Sequence, residues 1–208
     1  MINVIYIAVL LIIWVFIAIM FFKIMSAKRS VSEENSNIKF DDSIKLRPST
    51  DKRYPLKLLL FADRSPYGNE ISAVREVLQK DNIDIVIMLG DHHDHDIELI
   101  REYNSNIKII GILGNHDGFD FLERNGVEDI NGRVYEANGV RIAGMQGSFK
   151  YKNVDYPSFT QEQSRVFAEN MGPADIFITH DSPRGCHERK DDAHIGLEGI
   201  REYIMKNN

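Results

Sequence analysis

Four predicted strands each end in residues that can bind a divalent metal ion. Asp63 follows LKLLLFA, and residues 90–94 (GDHHD) follow DIVIML. Residues 114–117 (GNHD) follow KIIGIL, and residues 179–181 (THD) follow DIFI. A single Asp or Asn at a strand end is more often a turn former or a helix cap. Four such ends in succession, with carboxylate, amide and imidazole groups, instead predict a site for a hard or borderline divalent cation.

The chain between these ends alternates short apolar runs with amphipathic stretches. Apolar runs cover residues 56–62, 83–89 and 107–113, and helical periodicity covers residues 70–80 and 96–103. This βαβαβ order predicts parallel strands that are buried on both faces. Ligands of open α/β sheets bind at the carboxyl ends of the strands, so the sheet is expected to bring the four motifs to one edge.

The second half of the domain has a different pattern. Residues 133–147 predict a β-hairpin that turns at Asn138 and Gly139, with an apolar return strand over residues 140–145. The following segments predict a helix with a Thr-x-x-Gln capping pattern, a buried strand and a final helix, at residues 160–170, 175–179 and 197–206.

The composition favours one globular domain and argues against two classes of function. The 208 residues are 43% hydrophobic and carry a formal net charge of −6, with no long basic run. Proteins bind the phosphates of nucleic acids through clustered positive charge. Because this sequence has no such cluster, it has no strong nucleic-acid signature. A nucleotide-binding switch is also disfavoured, because no Gly-x-x-x-x-Gly-Lys or Gly-x-Gly-x-x-Gly segment follows a strand.

The N-terminal residues predict a membrane anchor. Residues 3–22 (NVIYIAVLLIIWVFIAIMFF) carry no charge over about the 20 residues that a helix needs to cross a bilayer. A cleavable signal peptide would begin with a basic region, and a buried core helix would show a polar face. Lys23, Lys28 and Arg29 follow the apolar run. The positive-inside rule therefore predicts a single-pass protein whose soluble domain is cytoplasmic.

These signals divide the chain into three parts. We expect a transmembrane anchor over residues 1–25 and a polar linker over residues 26–53, where periodicity is lost. The catalytic or binding domain is expected over residues 54–208.

The motifs resemble those of the calcineurin-like metallophosphoesterase family. That family has, in order, Asp-x-His, Gly-Asp-x-x-Asp, Gly-Asn-His-Asp/Glu, a lone His and Gly-His-x-His. Asp63, GDHHD, GNHD and His180 follow the same order, and the resemblance extends from about Lys57 to the end of the chain. It implies a four-layer αββα sandwich that hydrolyses phosphate esters with two divalent ions, which would be Mn, Fe or Zn.

The resemblance also implies a role for each metal ligand. Asp91 would bridge the two ions, and Asp63 would belong to the first. Asn115 and His180 would complete the second. Paired ions of this kind activate a hydroxide and neutralise the charge that develops on the phosphate.

A second group of residues would move or hold protons rather than bind metal. By resemblance, His116 protonates the leaving-group oxygen and Asp94 orients His116. Asp117 would lie next to the metal ligands and orient them without binding metal itself. For the three neighbouring histidines, an exposed loop without a specific role is the favoured interpretation, namely for His92, His93 and His95.

Two departures from the family pattern reduce the number of ligands. Ser65 stands where the first motif has a histidine, and no Gly-His-x-His occurs before Asn208. The remaining side chains are enough for at most one tightly held ion. Arg64 either pairs with a substrate phosphate or is an ordinary surface residue. The sandwich is therefore expected to be C-terminally truncated, either as a fragment of a longer phosphoesterase or as a degenerate form.

Two functions remain open on this basis. One is a membrane-anchored phosphoesterase that hydrolyses phosphomonoester or phosphodiester substrates, with its activity reduced by the missing ligands. The other is a catalytically inactive phosphoesterase-fold module that binds partner proteins. Loss of the Asp63-x-His ligand favours the second, and retention of His116 with Asp94 favours the first.

Overall fold

Parallel strands form the first sheet of the structure, a computed structural model that describes residues 55–63, 70–186 and 191–207. Across the sheet the order is β1 (Leu58–Phe61), β2 (Ile85–Met88), β3 (Lys108–Gly111) and β4 (Glu128–Asp129). The connections contain helices α1 (Glu70–Lys80), α2 (Asp94–Tyr103) and α3 (Phe121–Arg124). All neighbouring strands pair in parallel, so the predicted βαβαβ order is confirmed.

The two faces of the first sheet pack against different layers because side chains alternate along each strand. Val86 and Met88 of β2 face a cluster that contains Ile97 and Ile100 of α2. Ile85 and Ile87 point the other way, into a cluster shared with the second sheet. Every residue of β2 is buried, as predicted for a strand covered on both faces.

The second sheet is built on the predicted hairpin. Strands β5 (Val134–Ala137) and β6 (Val140–Met145) pair antiparallel, and β9 (Ile176–Thr179) pairs in parallel with β6. The turn residues Asn138 and Gly139 have φ values of +49° and +74°. Positive φ at both central positions is the geometry that Asn-Gly favours in a two-residue hairpin turn. A separate short pair, β7 (Ser148–Phe149) and β8 (Ser158–Phe159), follows the hairpin.

Two helices cover the far side of the second sheet. Helix α4 (Gln161–Asn170) has the predicted capping box, in which Thr160 Oγ1 accepts from the Gln163 N–H and Gln163 Oε1 accepts from the Thr160 N–H. Tyr203 of α5 (Glu198–Asn207) packs against Phe177 of β9 with the ring centroids 4.2 Å apart. The layers are therefore helix, sheet, sheet and helix, the order that the resemblance implies.

Several predictions fall on residues that the structure does not describe. The membrane anchor at residues 1–25 and the linker at residues 26–53 lie outside the described residues, and so do Arg64 and Ser65. Among the described segments, no helix has the length and apolar character that a bilayer crossing requires.

Candidate active site

Three predicted ligands meet at the carboxyl edge of the two sheets. Asp63 follows β1, Asp91 follows β2, and His180 follows β9 of the other sheet. One ligand atom from each of the three lies within 4.8 Å of the other two. The sequence placed all three at strand ends of a single sheet. The ends do come together, but that expectation of one sheet is wrong for His180, which follows a strand of the second sheet.

Asn115 joins this set through His180. His180 Nδ1 lies 2.8 Å from the Leu89 carbonyl oxygen, which can only accept, so Nδ1 carries the hydrogen. Nε2 lies 2.9 Å from Asn115 Oδ1 and 3.7 Å from Asp91 Oδ2. A divalent cation at this point would be within reach of the Nε2 lone pair and of the Asn115 and Asp91 oxygens. The donor set therefore fits the divalent cation that the motifs imply.

Two of the ligands have an unusual backbone conformation. Asp63 and Asp91 have φ values of +50° and +59°, in the left-handed region that residues with a side chain seldom adopt. Each such residue costs roughly 1–3 kcal/mol and persists only where its surroundings hold it. Here the Asp63 N–H donates to the Gly90 carbonyl at 3.2 Å, and the Asp91 N–H donates to Asp117 Oδ2 at 2.9 Å.

Asp117 ties the two central loops together. Its Oδ2 also accepts from the Gly114 N–H at 2.7 Å, and its Oδ1 accepts from the His92 N–H at 3.2 Å. In return, Asp91 Oδ1 accepts from the His116 N–H at 2.9 Å. The loop after β2 and the loop after β3 therefore hold each other in register.

The glycines in these loops are required by close approach. A Cβ on Gly114 would lie 2.1 Å from Asp91 Oδ1 and 2.6 Å from the Asp91 nitrogen. A Cβ on Gly90 would lie 2.4 Å from the Gly114 nitrogen, and Gly90 also has a φ of +100°. The Gly-Asp and Gly-Asn pairs of the sequence thus allow the two ligand loops to touch.

A polar cavity of about 460 Å³ opens beside the ligands. Beyond Asp63, Asp91, Asn115 and His180 it is lined by His116, Ser148, Tyr151, Asp181, Ser182, Ala193 and His194. Burial raises the pKa of Asp181, although its carboxylate accepts from the backbone N–H groups of Phe149 and Ser182. The cavity is large enough for a small phosphate ester beside the ligand set.

Comparison with known proteins identifies the family. The sequence profile of calcineurin-like phosphoesterases matches residues 58–208. The chain belongs to the calcineurin-like phosphoesterase family. No curated protein sequence matches it. A chain of known crystal structure superimposes with a TM-score of 0.56 at 12% identity, over 74% of this chain and 81% of its own, which shows a shared fold.

The predicted acid pair of this phosphoesterase-family chain is not assembled in the structure. His116 is exposed at the cavity, where its side chain is free to meet a ligand. Asp94 Oδ1 accepts from Asn125 Nδ2 at 2.7 Å and from Arg124 Nη2 at 3.0 Å, and these hydrogen bonds lower the pKa of Asp94. No hydrogen bond joins Asp94 to His116 among the described residues, so that pairing stays a prediction from the resemblance.

One histidine of the family's second motif lies where the sequence did not place it. The prediction of an exposed loop is wrong for His92, which is only 6% exposed and packs against Phe61 with ring centroids 4.7 Å apart. Neither of its ring nitrogens has a hydrogen-bond partner within the described part of the chain, and burial lowers its pKa. His93 and His95 are exposed, as predicted, although His95 lies in α2 and not in a loop.

Sequence reasoning also missed several residues that line the cavity, among them Ser148 and Tyr151. Ser148 lies in β7, and Tyr151 lies in the loop that connects β7 to β8. Neither belongs to a recognisable motif. The only sequence signal is their position directly after the apolar return strand of the hairpin, and that signal does not show which way a loop folds.

Proposed function

We propose that the chain is a membrane-anchored, metal-dependent hydrolase of phosphomonoester or phosphodiester bonds. The observation that carries the proposal is the convergence of two carboxylates, an amide oxygen and an imidazole nitrogen on one polar cavity. Membership of the calcineurin-like phosphoesterase family supports the same chemistry.

Four side chains would hold the metal. Asp91, Asn115 and His180 form one group around His180 Nε2, and Asp63 completes the cluster from β1. Oxygen and imidazole donors suit Mn, Fe or Zn. A bound divalent cation would polarise a phosphate oxygen and supply a hydroxide at neutral pH.

His116 is the candidate proton donor. Its backbone N–H donates to Asp91 Oδ1, so the residue is fixed beside a ligand while its imidazole lines the cavity. An imidazole can donate a proton to a leaving-group oxygen near neutral pH. The phosphate would lie between the ligand cluster and His116.

The direct test is metal-dependent hydrolysis by the purified 208-residue chain. We expect Mn²⁺-dependent turnover of p-nitrophenyl phosphate or bis(p-nitrophenyl) phosphate, with bound metal measured by elemental analysis. Asp91→Asn should lose both the metal and the turnover. Asp81→Asn is the matched control, because Asp81 pairs with Lys57 at the opposite edge of the first sheet. Turnover that survives in Asp91→Asn would refute the proposal.

A second candidate function is an inactive binding module. Two observations favour it: the Asp94 carboxylate is held by Arg124 and Asn125, and Ser65 stands at the family's histidine position. A chain that binds Mn²⁺ but turns over neither ester would support this alternative. It would then serve as a tethered site for a partner protein.

The membrane part of the proposal concerns residues 3–22. Their uncharged sequence, followed by Lys23, Lys28 and Arg29, supports a single-pass anchor with the domain in the cytoplasm. Protease added to intact cells should spare the domain, whereas permeabilised cells should lose it. Digestion beyond residue 54 in intact cells would reverse the proposed topology.

A further inference from the structure

Tyr151 places a phenol next to the metal-ligand set. Asn115 Nδ2 donates to Tyr151 Oη at 3.3 Å, and Tyr151 lines the cavity together with Asp91 and His180. A phenol that accepts a hydrogen bond still has its own hydrogen to donate. Within the part of the chain that the structure describes, Tyr151 Oη donates no hydrogen bond. A group that enters the cavity would therefore meet an available donor.

The loop behind Tyr151 holds the ring in place. Tyr156 Oη accepts from the backbone N–H of Tyr151 at 2.9 Å and from that of Lys152 at 3.3 Å. The same hydroxyl donates to the Phe149 carbonyl at 3.3 Å, and the Tyr151 and Tyr156 rings meet edge to face with centroids 5.7 Å apart. A donor that is already ordered loses little entropy when it binds a ligand.

The charge beside Tyr151 favours an anion. Lys152 Nζ lies over the Tyr151 ring, 4.8 Å from its centroid. A cation on the ring face withdraws electron density, which makes the phenol a stronger hydrogen-bond donor. Lys152 does not itself line the cavity, so its charge acts on the site through the Tyr151 ring, beside a lining that contains the carboxylates Asp63, Asp91 and Asp181.

We propose that Tyr151 is a substrate-contacting residue that donates its phenolic hydrogen to a non-bridging oxygen of the bound phosphate. The inference rests on the proposed phosphoesterase function and adds a residue to it. The Asn115 amide connects the two parts of the site, because its oxygen faces His180 and its nitrogen faces Tyr151. Tyr151 transfers no proton; it orients the phosphate through a charge-assisted hydrogen bond.

The test removes one hydroxyl at a time. Tyr151→Phe is compared with Tyr103→Phe, a matched control in which the lost hydroxyl also accepts from a side-chain amide, Gln79 Nε2, at 2.9 Å. Titration calorimetry measures Mn²⁺ binding, and then the binding of inorganic phosphate to the Mn²⁺-loaded chain. We expect Tyr151→Phe to weaken phosphate binding about tenfold, since hydrogen bonds to charged groups are the stronger class. Mn²⁺ affinity should change less than about twofold.

Each other outcome rejects the inference in a distinguishable way. If the wild-type chain binds Mn²⁺ and phosphate, and Tyr151→Phe binds phosphate with the same affinity, the phenol contact is rejected. The proposed function is not affected by that result. A parallel loss of Mn²⁺ and phosphate affinity shows that Tyr151 acts only through Asn115, which also rejects the contact. If the wild-type chain binds no phosphate in the presence of Mn²⁺, both the inference and the proposed function fail.

Discussion

The ligand edge and the proposed proton donor are built in different ways. At the ligand edge, Asp117 accepts three backbone hydrogen bonds, and Gly114 lets the Asp91 carboxylate approach the neighbouring loop. At the donor, His116 projects from the same loops into an open cavity with no side-chain hydrogen bond among the described residues. Backbone hydrogen bonds therefore preorganise the cation site. The orientation of the His116 imidazole, in contrast, depends on the substrate that binds in the cavity.

Solvent exposure reinforces this contrast. The side chains of His180 and Asp91 are 7% and 14% exposed, while those of Asp94 and Arg124 are 56% and 45% exposed. Charges act strongly on each other where water is excluded and only weakly at the surface. We therefore expect substitutions at the ligand edge to change metal binding and stability, and substitutions around His116 to change turnover alone.

The largest effect expected from this contrast is on turnover. His116→Ala should lower kcat by about 10²–10⁴-fold, the usual contribution of a general acid. The other two imidazoles that line the cavity are engaged elsewhere, His180 with Asp91 and His194 with Asp191. Mn²⁺ content should not change, since His116 contacts the ligand set only through its backbone. His95→Ala, an exposed histidine of α2, is the control. If His116→Ala lost as much bound Mn²⁺ as Asp91→Asn, the distinction between the ligand edge and the proton donor would be wrong.

The next effect is on the ligand edge itself. Gly114→Ala would push a methyl group into the Asp91 carboxylate, where the gap is 2.1 Å. We expect the free energy of unfolding to fall by about 1–3 kcal/mol and Mn²⁺ affinity to fall by about 10–100-fold. Urea denaturation and calorimetry measure the two quantities. Gly172→Ala is the matched control, because the nearest atom to its Cβ is 3.9 Å away. Equal behaviour of both variants would show that the loops are not tightly packed.

The parts of this molecule that the sequence predicted are those set by local signals. The bounds of α1, the Asn138-Gly139 turn and the Thr160 capping box each depend on a few neighbouring residues, and all three are confirmed. Parallel pairing in the first sheet brings Asp63 and Asp91 to one edge, as predicted. The position of His180 depends on how the second sheet packs against the first, because His180 follows β9.

The parts that the sequence missed are set by tertiary contacts. Helix α2 begins at Asp94 rather than at residue 96, which places Asp94 beside Arg124 of α3. His92 follows Asp91 directly, yet its ring packs against Phe61 in the interior. Neither contact produces a periodic pattern in the sequence, because each depends on how elements that are distant in the chain pack together.

A smaller effect concerns the interior beneath the ligand edge. Burial lowers the pKa of His92, so below about pH 6.5 the unfolded chain binds a proton that the folded chain does not. Stability is therefore complete above that pH and is lost as the pH falls toward the lower folded pKa, by at most about 1.4 kcal/mol per pH unit.

His92→Leu tests this linkage. The variant should lose less stability than the wild type between pH 6.5 and 5.5, by up to about 1 kcal/mol in urea denaturation. His95→Leu removes an exposed imidazole from α2 and should keep the wild-type pH dependence. An unchanged acid-side slope in His92→Leu would mean that another buried group controls it.

The smallest effect is expected at Asp94, where the resemblance and the structure differ most. Hydrogen bonds from Asn125 and Arg124 hold the pKa of Asp94 below its usual range, so the carboxylate stays charged while engaged with the surface of α3. All of these hydrogen bonds go to Oδ1, and none joins Asp94 to His116 among the described residues. We therefore expect Asp94→Asn to change kcat by less than about threefold, in line with other exposed ion pairs. Arg124→Gln removes the other partner of this ion pair and should also change kcat by less than about threefold. If Asp94→Asn instead matches the loss in His116→Ala while Arg124→Gln keeps or raises kcat, then Asp94 leaves Arg124 during turnover and orients the acid, as the motif predicts.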